Sequence, residues 1–341
     1  MRPFLWELFS DFLILDNYKL IFKKGDNLVR IENLVKNYGE VNAVRSINFT
    51  ANKGEILGFL GANGAGKSTT LKIVSGYLSP TSGNVYIDDL NILDNSLEIR
   101  QQVGYLPELN PLWGDMKVYD ILKFTGRIYD IVGRKFDQAL DRVIEQCGLN
   151  GVLHKRISAC SKGYKQRVGL AMAIIHDPKI LILDEPVNGL DPNQIIEIRE
   201  LIRNLGRDKT IIISSHILQE IQATADRIVV INEGQVVADG TGEELMASLK
   251  GNTLLTLVVK NALIETIELL PSEIEGLQLK DITENENLHT IQINYPADLD
   301  PREKVFNFAI KSKWSILEMS PYKKNLEDVF RSLTGAEVID A

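Results

Sequence analysis

The chain has 341 residues, of which 44% are hydrophobic and 25% charged, with no excess of glycine, proline or cysteine. This composition excludes disordered, collagen-like and disulfide-scaffold chains, and the length points to about two domains. The 38 basic and 46 acidic residues leave a net charge of −8, so no overall positive field draws the chain to nucleic acid, and no nucleic-acid partner is expected. No run approaches about 18 uninterrupted apolar residues, so no bilayer-spanning helix is expected either. The two cysteines, Cys147 and Cys160, are too few for a zinc site and fit a reducing compartment.

Residues 1–27 stand apart. Phe4 to Leu15 is rich in Phe, Leu and Trp but is interrupted by Glu7 and Asp11. It lacks the unbroken apolar centre and small-residue cleavage site of a secretory signal. On a helix, Leu5, Leu8, Phe9, Phe12 and Leu15 share one face while Glu7, Ser10 and Asp11 lie opposite. One reading is an amphipathic helix for a membrane surface or a partner. The favoured reading is an incidental leader, and the acidic polar face counts against an anionic membrane.

From Leu28 to about Lys250 the pattern is alternating α/β. Strands are predicted at Leu28–Glu32, Ile47–Ala51, Glu55–Leu60 and Val85–Asp88, with a helix at Thr69–Val74. Residues 90–175 read mostly as helix, an inserted layer holding one strand at Gln102–Tyr105. The β-branched runs Ile180–Leu183, Thr210–Ser214 and Arg227–Ile231 suit strands buried on both faces of a sheet. A hairpin turn at Asn232–Gln235 then leads to Val236–Ala238.

After Gly251 the register changes. Strands at Thr253–Val259, Leu277–Ile282, His289–Asn294 and Trp314–Met319 are interleaved with helices at Ala262–Leu270 and Pro301–Ser312, and a last helix covers Asn325–Leu333. Strand–helix–strand–strand–helix–strand is the ferredoxin-like order, so residues 251–341 are expected to form a small α+β domain.

Gly61-Ala62-Asn63-Gly64-Ala65-Gly66-Lys67-Ser68 fits the P-loop pattern at every fixed position, between a buried strand and the helix that Thr69 opens. In such a loop backbone N–H groups turn toward phosphates and the helix N-terminus adds its positive end. Lys67 would reach the β- and γ-phosphates and Ser68 would ligate magnesium, so ATP and Mg2+ are the expected ligands. Ile180-Leu181-Ile182-Leu183-Asp184-Glu185 is an apolar strand ending in two carboxylates. Asp184 would hold magnesium and Glu185 would orient the attacking water. Pro186 makes a helix cap the weaker reading of that pair.

Upstream of this strand lies Cys160-Ser161-Lys162-Gly163-Tyr164-Lys165-Gln166-Arg167. Here the sequence resembles the signature of the ABC ATPases, in which the serine and second glycine do the recognition. Ser161 and Gly163 match; Cys160, Lys162 and Tyr164 do not, and the lysine and aromatic substitutions look like those of the export branch. The resemblance covers nearly everything after Leu28. It implies that Tyr38 stacks on adenine, that Gly189-Leu190-Asp191-Pro192 crosses a dimer interface, and that His216 senses the γ-phosphate. Glu108 stands where the family normally places a glutamine that touches magnesium and couples to the membrane partner; a carboxylate can still be a magnesium ligand, and by that position Glu108 is assigned as one with Ser68 and Asp184. A carboxylate there adds negative charge near the γ-phosphate. Gly104 to Leu112 and Asn325 to Arg331 look like the gliding-motility-associated ATP-binding subunits and their multidrug-export relatives.

The resemblance implies a P-loop NTPase fold of the ABC type over 28–250, with an antiparallel β subdomain and a helical subdomain over about 90–175. It also implies a head-to-tail dimer, each ATP bound by one P-loop and by Ser161 and Gly163 of the second subunit, with Glu185, His216 and Lys67 carrying catalysis. A separate integral-membrane permease would convert that cycle into export, placing the chain peripherally at the cytoplasmic face of the membrane. Trp113, Met116, Val118 and Tyr119 offer apolar contact for the permease or fill the helical core, and both readings stand. The competing function is a soluble ABC-type ATPase acting on DNA or the ribosome. A single cassette, the absence of a sustained heptad run and the acidic balance count against it. A slow nucleotide sensor is a third reading, opposed by the intact Lys67, Asp184, Glu185 and His216.

Overall fold

The computed structural model describes residues 27–248, 252–285, 288–296, 299–322 and 326–334, and the expected leader lies outside the described residues. They form two compact units, the first ending at Asp239 and the second opening at Gly240.

The first unit begins with a long hairpin, β1 (Asn27–Tyr38) and β2 (Val41–Asn52), followed by β3 (Ile56–Leu60) and helix α1 (Lys67–Val74). Next come β4 (Ser82–Ile87), β5 (Leu90–Asn91), α2 (Ser96–Gln102), β6 (Val103–Leu106), α3 (Val118–Ile128), α4 (Arg134–Cys147) and α5 (Lys162–Ile174). The chain then alternates through β7 (Ile180–Asp184), α6 (Pro192–Gly206), β8 (Thr210–Ser215), α7 (Leu218–Gln222), β9 (Arg227–Asn232) and β10 (Gln235–Gly240).

Two sheets result. One is four-stranded, in the order β2-β1-β4-β5, and the other six-stranded, in the order β10-β9-β3-β8-β7-β6. Strands β9, β3, β8, β7 and β6 pair in parallel, and β3, β7 and β8 are buried at every position. That is why their centres, such as Ile180–Leu183 and Ile211–Ile213, read as consecutive apolar residues rather than alternating ones. Phe49 on β2 stacks on Phe59 of β3 with ring centroids 5.2 Å apart, joining the two sheets through one core. The turn between β9 and β10 takes Glu233 and Gly234 to φ values of 45° and 77°, the backbone that a tight hairpin requires.

The helical layer expected over 90–175 is divided. β5 joins the antiparallel sheet and β6 the parallel one, so the helical part is α3 to α5. Gly104 permits this: a Cβ there would lie 2.2 Å from the Ala173 carbonyl oxygen of α5, so only glycine lets the helix sit on β6.

The second unit starts earlier than the expected Gly251, because α8 (Gly242–Ser248) belongs to it and packs against the last helix. It continues through β11 (Asn252–Lys260), α9 (Ile264–Glu268), α10 (Leu270–Glu273), β12 (Gln278–Asn285), β13 (Leu288–Pro296), α11 (Arg302–Lys311), β14 (Ser315–Pro321) and α12 (Leu326–Thr334). Its sheet is antiparallel in the order β12-β13-β11-β14, the ferredoxin-like arrangement. Leu255, Leu257, Ile291 and Ile293 form its core with Ile267, Val305 and Trp314. The single helix expected at Ala262–Leu270 is two short ones: Pro271 occupies the first turn of α10, where its missing N–H costs nothing.

Candidate functional site

Three neighbouring strands deliver the site. In the parallel register Leu60 of β3 pairs with Ser215 of β8, and Asp184 of β7 pairs with Ser214. The loop after β3, the acidic pair at the end of β7 and His216 after β8 therefore emerge together at the carboxyl edge of the sheet. Ligands of α/β folds bind at this edge.

The P-loop spans Gly61–Gly66 and runs into α1. Gly61 N–H donates to the Ser215 carbonyl (3.3 Å), and the Ala65 carbonyl accepts from Gly234 N–H (3.0 Å). Gly66 caps α1 at φ 104°, and a Cβ there would meet the Ala43 carbonyl oxygen at 2.5 Å, so glycine is required on both counts. The first helical bond runs from Thr70 N–H to the Gly66 carbonyl (3.0 Å). The N–H groups of Lys67, Ser68 and Thr69 therefore point out of the helix end, next to the open loop positions Ala62, Asn63 and Gly64.

Lys67 folds back over this loop. Its ammonium donates to the carbonyls of Gly61 (2.8 Å) and Ala62 (3.2 Å) and lies 3.2 Å from Oε1 of Glu185. The other Glu185 oxygen lies 2.9 Å from His216 Nδ1. Lys67, Asp184 and Glu185 are all buried, and Glu185 adopts φ 49°, outside the strand conformation. Asp184 Oδ1 accepts from Ser68 Oγ (3.1 Å) and from Ser214 Oγ (2.7 Å), while Ser214 Oγ accepts from Glu185 N–H (3.0 Å). Tyr105 of β6 stands close by; burial foremost, then the charges of Asp184, Tyr77 and Glu108, push its phenol upward, so it stays neutral.

The Ser68 hydroxyl and the Asp184 carboxylate form an all-oxygen pair that suits Mg2+, which takes few protein ligands and fills the rest with phosphate oxygens and water. Among the described residues no group of three or more His, Cys, Asp or Glu forms an all-protein metal cage.

The remaining expected residues lie elsewhere. Ser161 caps α5, accepting from Tyr164 N–H (3.3 Å), and Asp191 caps α6, accepting from Gln194 N–H (3.0 Å). Both line a cleft of about 470 Å3 that also includes Gly163 and Gln194. The Gln194 side chain covers Gly163, where a Cβ would approach its Cδ to 2.8 Å. Tyr38 is exposed at the end of β1, with the Lys36 ammonium 5.4 Å from its ring centroid. Its hairpin is the one whose Ala43 abuts Gly66. Glu108 is exposed and accepts from the Asn188 amide (3.4 Å). The structure thus gathers Lys67, Ser68, Asp184, Glu185 and His216 in one cluster and Ser161, Gly163 and Asp191 in another. Sequence reasoning missed Ser214, Asn188 and Gln194. For Ser214 the sequence held no signal beyond a hydroxyl following the apolar run Ile211-Ile212-Ile213.

The family model described as ABC transporter matches residues 44–188, and a model described as an AAA domain, putative AbiEii toxin, matches 156–221. The linearmycin resistance ATP-binding protein LnrL of Bacillus subtilis is 30% identical over 92% of this chain and all of its own length. The chain belongs to the ATP-binding subunits of ABC transporters. The bacitracin transport ATP-binding protein BcrA of Bacillus licheniformis is 32% identical over 92% of the chain and 99% of its own. Among solved structures, CbiO1 from Clostridium perfringens, part of the ABC transporter complex CbiONQ, matches 65% of this chain and 92% of its own with a TM-score of 0.60 and 30% identity. ABC ATP-binding subunits bind and hydrolyse ATP, dimerise and work with a membrane permease; this one is accordingly an ATPase that powers transport. Among the described residues no helix is long and apolar enough to cross a membrane.

Proposed function

We propose that Lys67, Ser68, Asp184, Glu185 and His216 form the hydrolytic centre for Mg-ATP, and that its cycle drives export through a separate integral-membrane permease. The observation that carries this reading is the placement of Glu185 between Lys67 and His216. The loop N–H groups and the positive end of α1 bind the β- and γ-phosphates, and Lys67 exchanges its carboxylate partner for them. Glu185, released from the ammonium, accepts from the attacking water, while His216 keeps its second oxygen oriented and reaches toward the γ-phosphate. Bound Mg2+ would be held by Ser68 and Asp184 and would neutralise charge on the phosphate oxygens.

The second cluster completes the site from another subunit. Ser161 and Gly163 recognise the γ-phosphate of the nucleotide held by the partner's P-loop, and Asp191 stands at the interface between the two. ATP thus closes the dimer and hydrolysis reopens it, a two-state switch driven by the ligand. Tyr38 stacks on adenine. Glu108, tied to Asn188 just beyond Glu185, links the acidic strand to the helical part where the permease docks. The resistance named for LnrL and the transport named for BcrA support export. The chain then sits peripherally at the cytoplasmic face of the membrane.

The test is Glu185→Gln. With saturating Mg-ATP, light scattering after gel filtration should show a stable dimer, and turnover should fall by about a hundredfold or more. A variant that stays monomeric, or that turns over normally, overturns the proposal.

A further inference from the structure

Strand β8 reads Thr210-Ile211-Ile212-Ile213-Ser214-Ser215, and Ser214 is fully buried in it. A hydroxyl in such a place loses its hydration and needs partners. It has one proton to donate and two lone pairs to accept with. Here the proton goes to Asp184 Oδ1 at 2.7 Å, and a lone pair accepts the N–H of Glu185 at 3.0 Å. One side chain therefore joins the carboxylate of one acid to the backbone of the next.

The place matters because the chain leaves the sheet there. Asp184 is the last residue of β7 and pairs in register with Ser214. Glu185 turns to φ 49°, a conformation that strains a non-glycine residue. The Ser214 oxygen accepts its N–H in place of a neighbouring strand carbonyl. From that anchored peptide the Glu185 side chain reaches Lys67 at 3.2 Å and His216 at 2.9 Å.

The geometry points to Ser214 as a positioning residue for ATP hydrolysis, holding Glu185 in the left-handed conformation that aims its carboxylate and holding Asp184 in its rotamer. It rests on the role given to Glu185 in the proposed function. Ser214 bonds to neither Lys67 nor the P-loop backbone, and Asp184 keeps its bond from Ser68, so loss of Ser214 should act on turnover more than on nucleotide affinity.

Steady-state ATP hydrolysis by the full chain tests this with Ser214→Thr and Ser214→Val. The two side chains have the same shape and differ by one hydroxyl, so any crowding from the added methyl is common to both. The Val variant should have a kcat about tenfold to a hundredfold below the Thr variant, with KM for Mg-ATP within about threefold. Equal kcat values overturn the assignment. Ser214→Ala adds no bulk and covers the case in which neither β-branched variant folds. A kcat at least about tenfold below wild type with KM kept supports the role, and an unchanged kcat refutes it. In a Glu185→Gln background Ser214→Ala should cost little more, whereas a fully multiplicative loss would mean that Ser214 does not act through Glu185. The two readings separate cleanly. Normal turnover in Glu185→Gln alone removes the proposed function, while loss there with normal turnover in Ser214→Ala removes only the positioning role.

Discussion

The Lys67 ammonium lies 3.2 Å from Oε1 of Glu185 with both side chains buried, so each charge is compensated by the other where little solvent can do so. Breaking such a pair from one side leaves an uncompensated charge, at a cost of about 3 kcal/mol. Lys67→Ala should therefore lower the unfolding free energy by that order, as well as abolish ATP turnover. Adding Glu185→Gln removes the stranded charge and should recover at least half of the stability. Urea unfolding of the two single variants and the double variant checks this, and simple additivity would show that the pair is not coupled.

Packing of the helical part on the parallel sheet depends on Gly104. A Cβ there would stand 2.2 Å from a backbone oxygen of α5, which has no flexible end to move aside. Gly104→Ala should cost about 2 kcal/mol and displace α5, whose first turn carries Ser161 and Gly163. Gly133, at φ 57° with open space around its Cβ position, is the control. Gly133→Ala should cost only the backbone strain of its φ 57°, ψ −135° conformation, about 1 to 3 kcal/mol, and leave ATP turnover unchanged. Thermal unfolding and ATPase rates of the two variants separate the cases.

His176 stacks face to face on Tyr129, with ring centroids 3.8 Å apart and Nε2 3.2 Å from the Val103 carbonyl. Burial, the largest influence, pushes its pKa from 6.5 down to about 4, against the bond to Val103. Between those values the unfolded chain binds a proton that the folded chain does not, so stability rises with pH across that window. The penalty is absent above about pH 6.5 and complete below about pH 4. For a ring that is only partly buried it amounts to about 2 kcal/mol. The stability lost between pH 7 and pH 4.5 should be smaller by about 1 to 2 kcal/mol in His176→Gln than in the wild type. An identical pH dependence in the two proteins would contradict this.

The P-loop and the acidic pair were legible in sequence because both are local patterns: glycines at fixed spacing, and an apolar run closed by two carboxylates. The order of strands that brings Lys67, Glu185 and His216 to one edge is non-local, and so is the register that places Ser214 opposite Asp184. A serine after three isoleucines reads only as one more buried strand position. β1 runs on past Glu32 to Tyr38 because β2 pairs with Leu34 to Tyr38 as well, but the irregularity at Asn33, φ 49°, shifts the register there and breaks the apolar alternation that would announce it. Apolar periodicity likewise could not say which side of α3 meets solvent. Val118 faces the core, Met116 and Tyr119 are half-buried, and Trp113 is exposed.

That last division sharpens the expectation for the membrane partner. Trp113 is 55% exposed and meets Phe124, itself 44% exposed, edge to face with ring centroids 5.5 Å apart. The neighbouring Leu109 is 85% exposed, immediately beyond Glu108. An aromatic pair kept in water, four residues along the chain from an exposed leucine, is the kind of surface that another protein covers. Trp113→Ala should cost about 1 kcal/mol, less than the loss of a buried aromatic, because more than half of the side chain already meets solvent. It should leave the ATPase rate of the isolated chain intact and abolish recovery of a polytopic membrane protein when the tagged chain is drawn from gently solubilised native membranes. Val118→Ala is the contrasting variant: it empties a fully buried site and should cost about 2 kcal/mol wherever the partner binds. If Trp113→Ala recovers the membrane protein as the wild type does, the docking surface lies elsewhere. If it instead melts as readily as Val118→Ala, the tryptophan is structural.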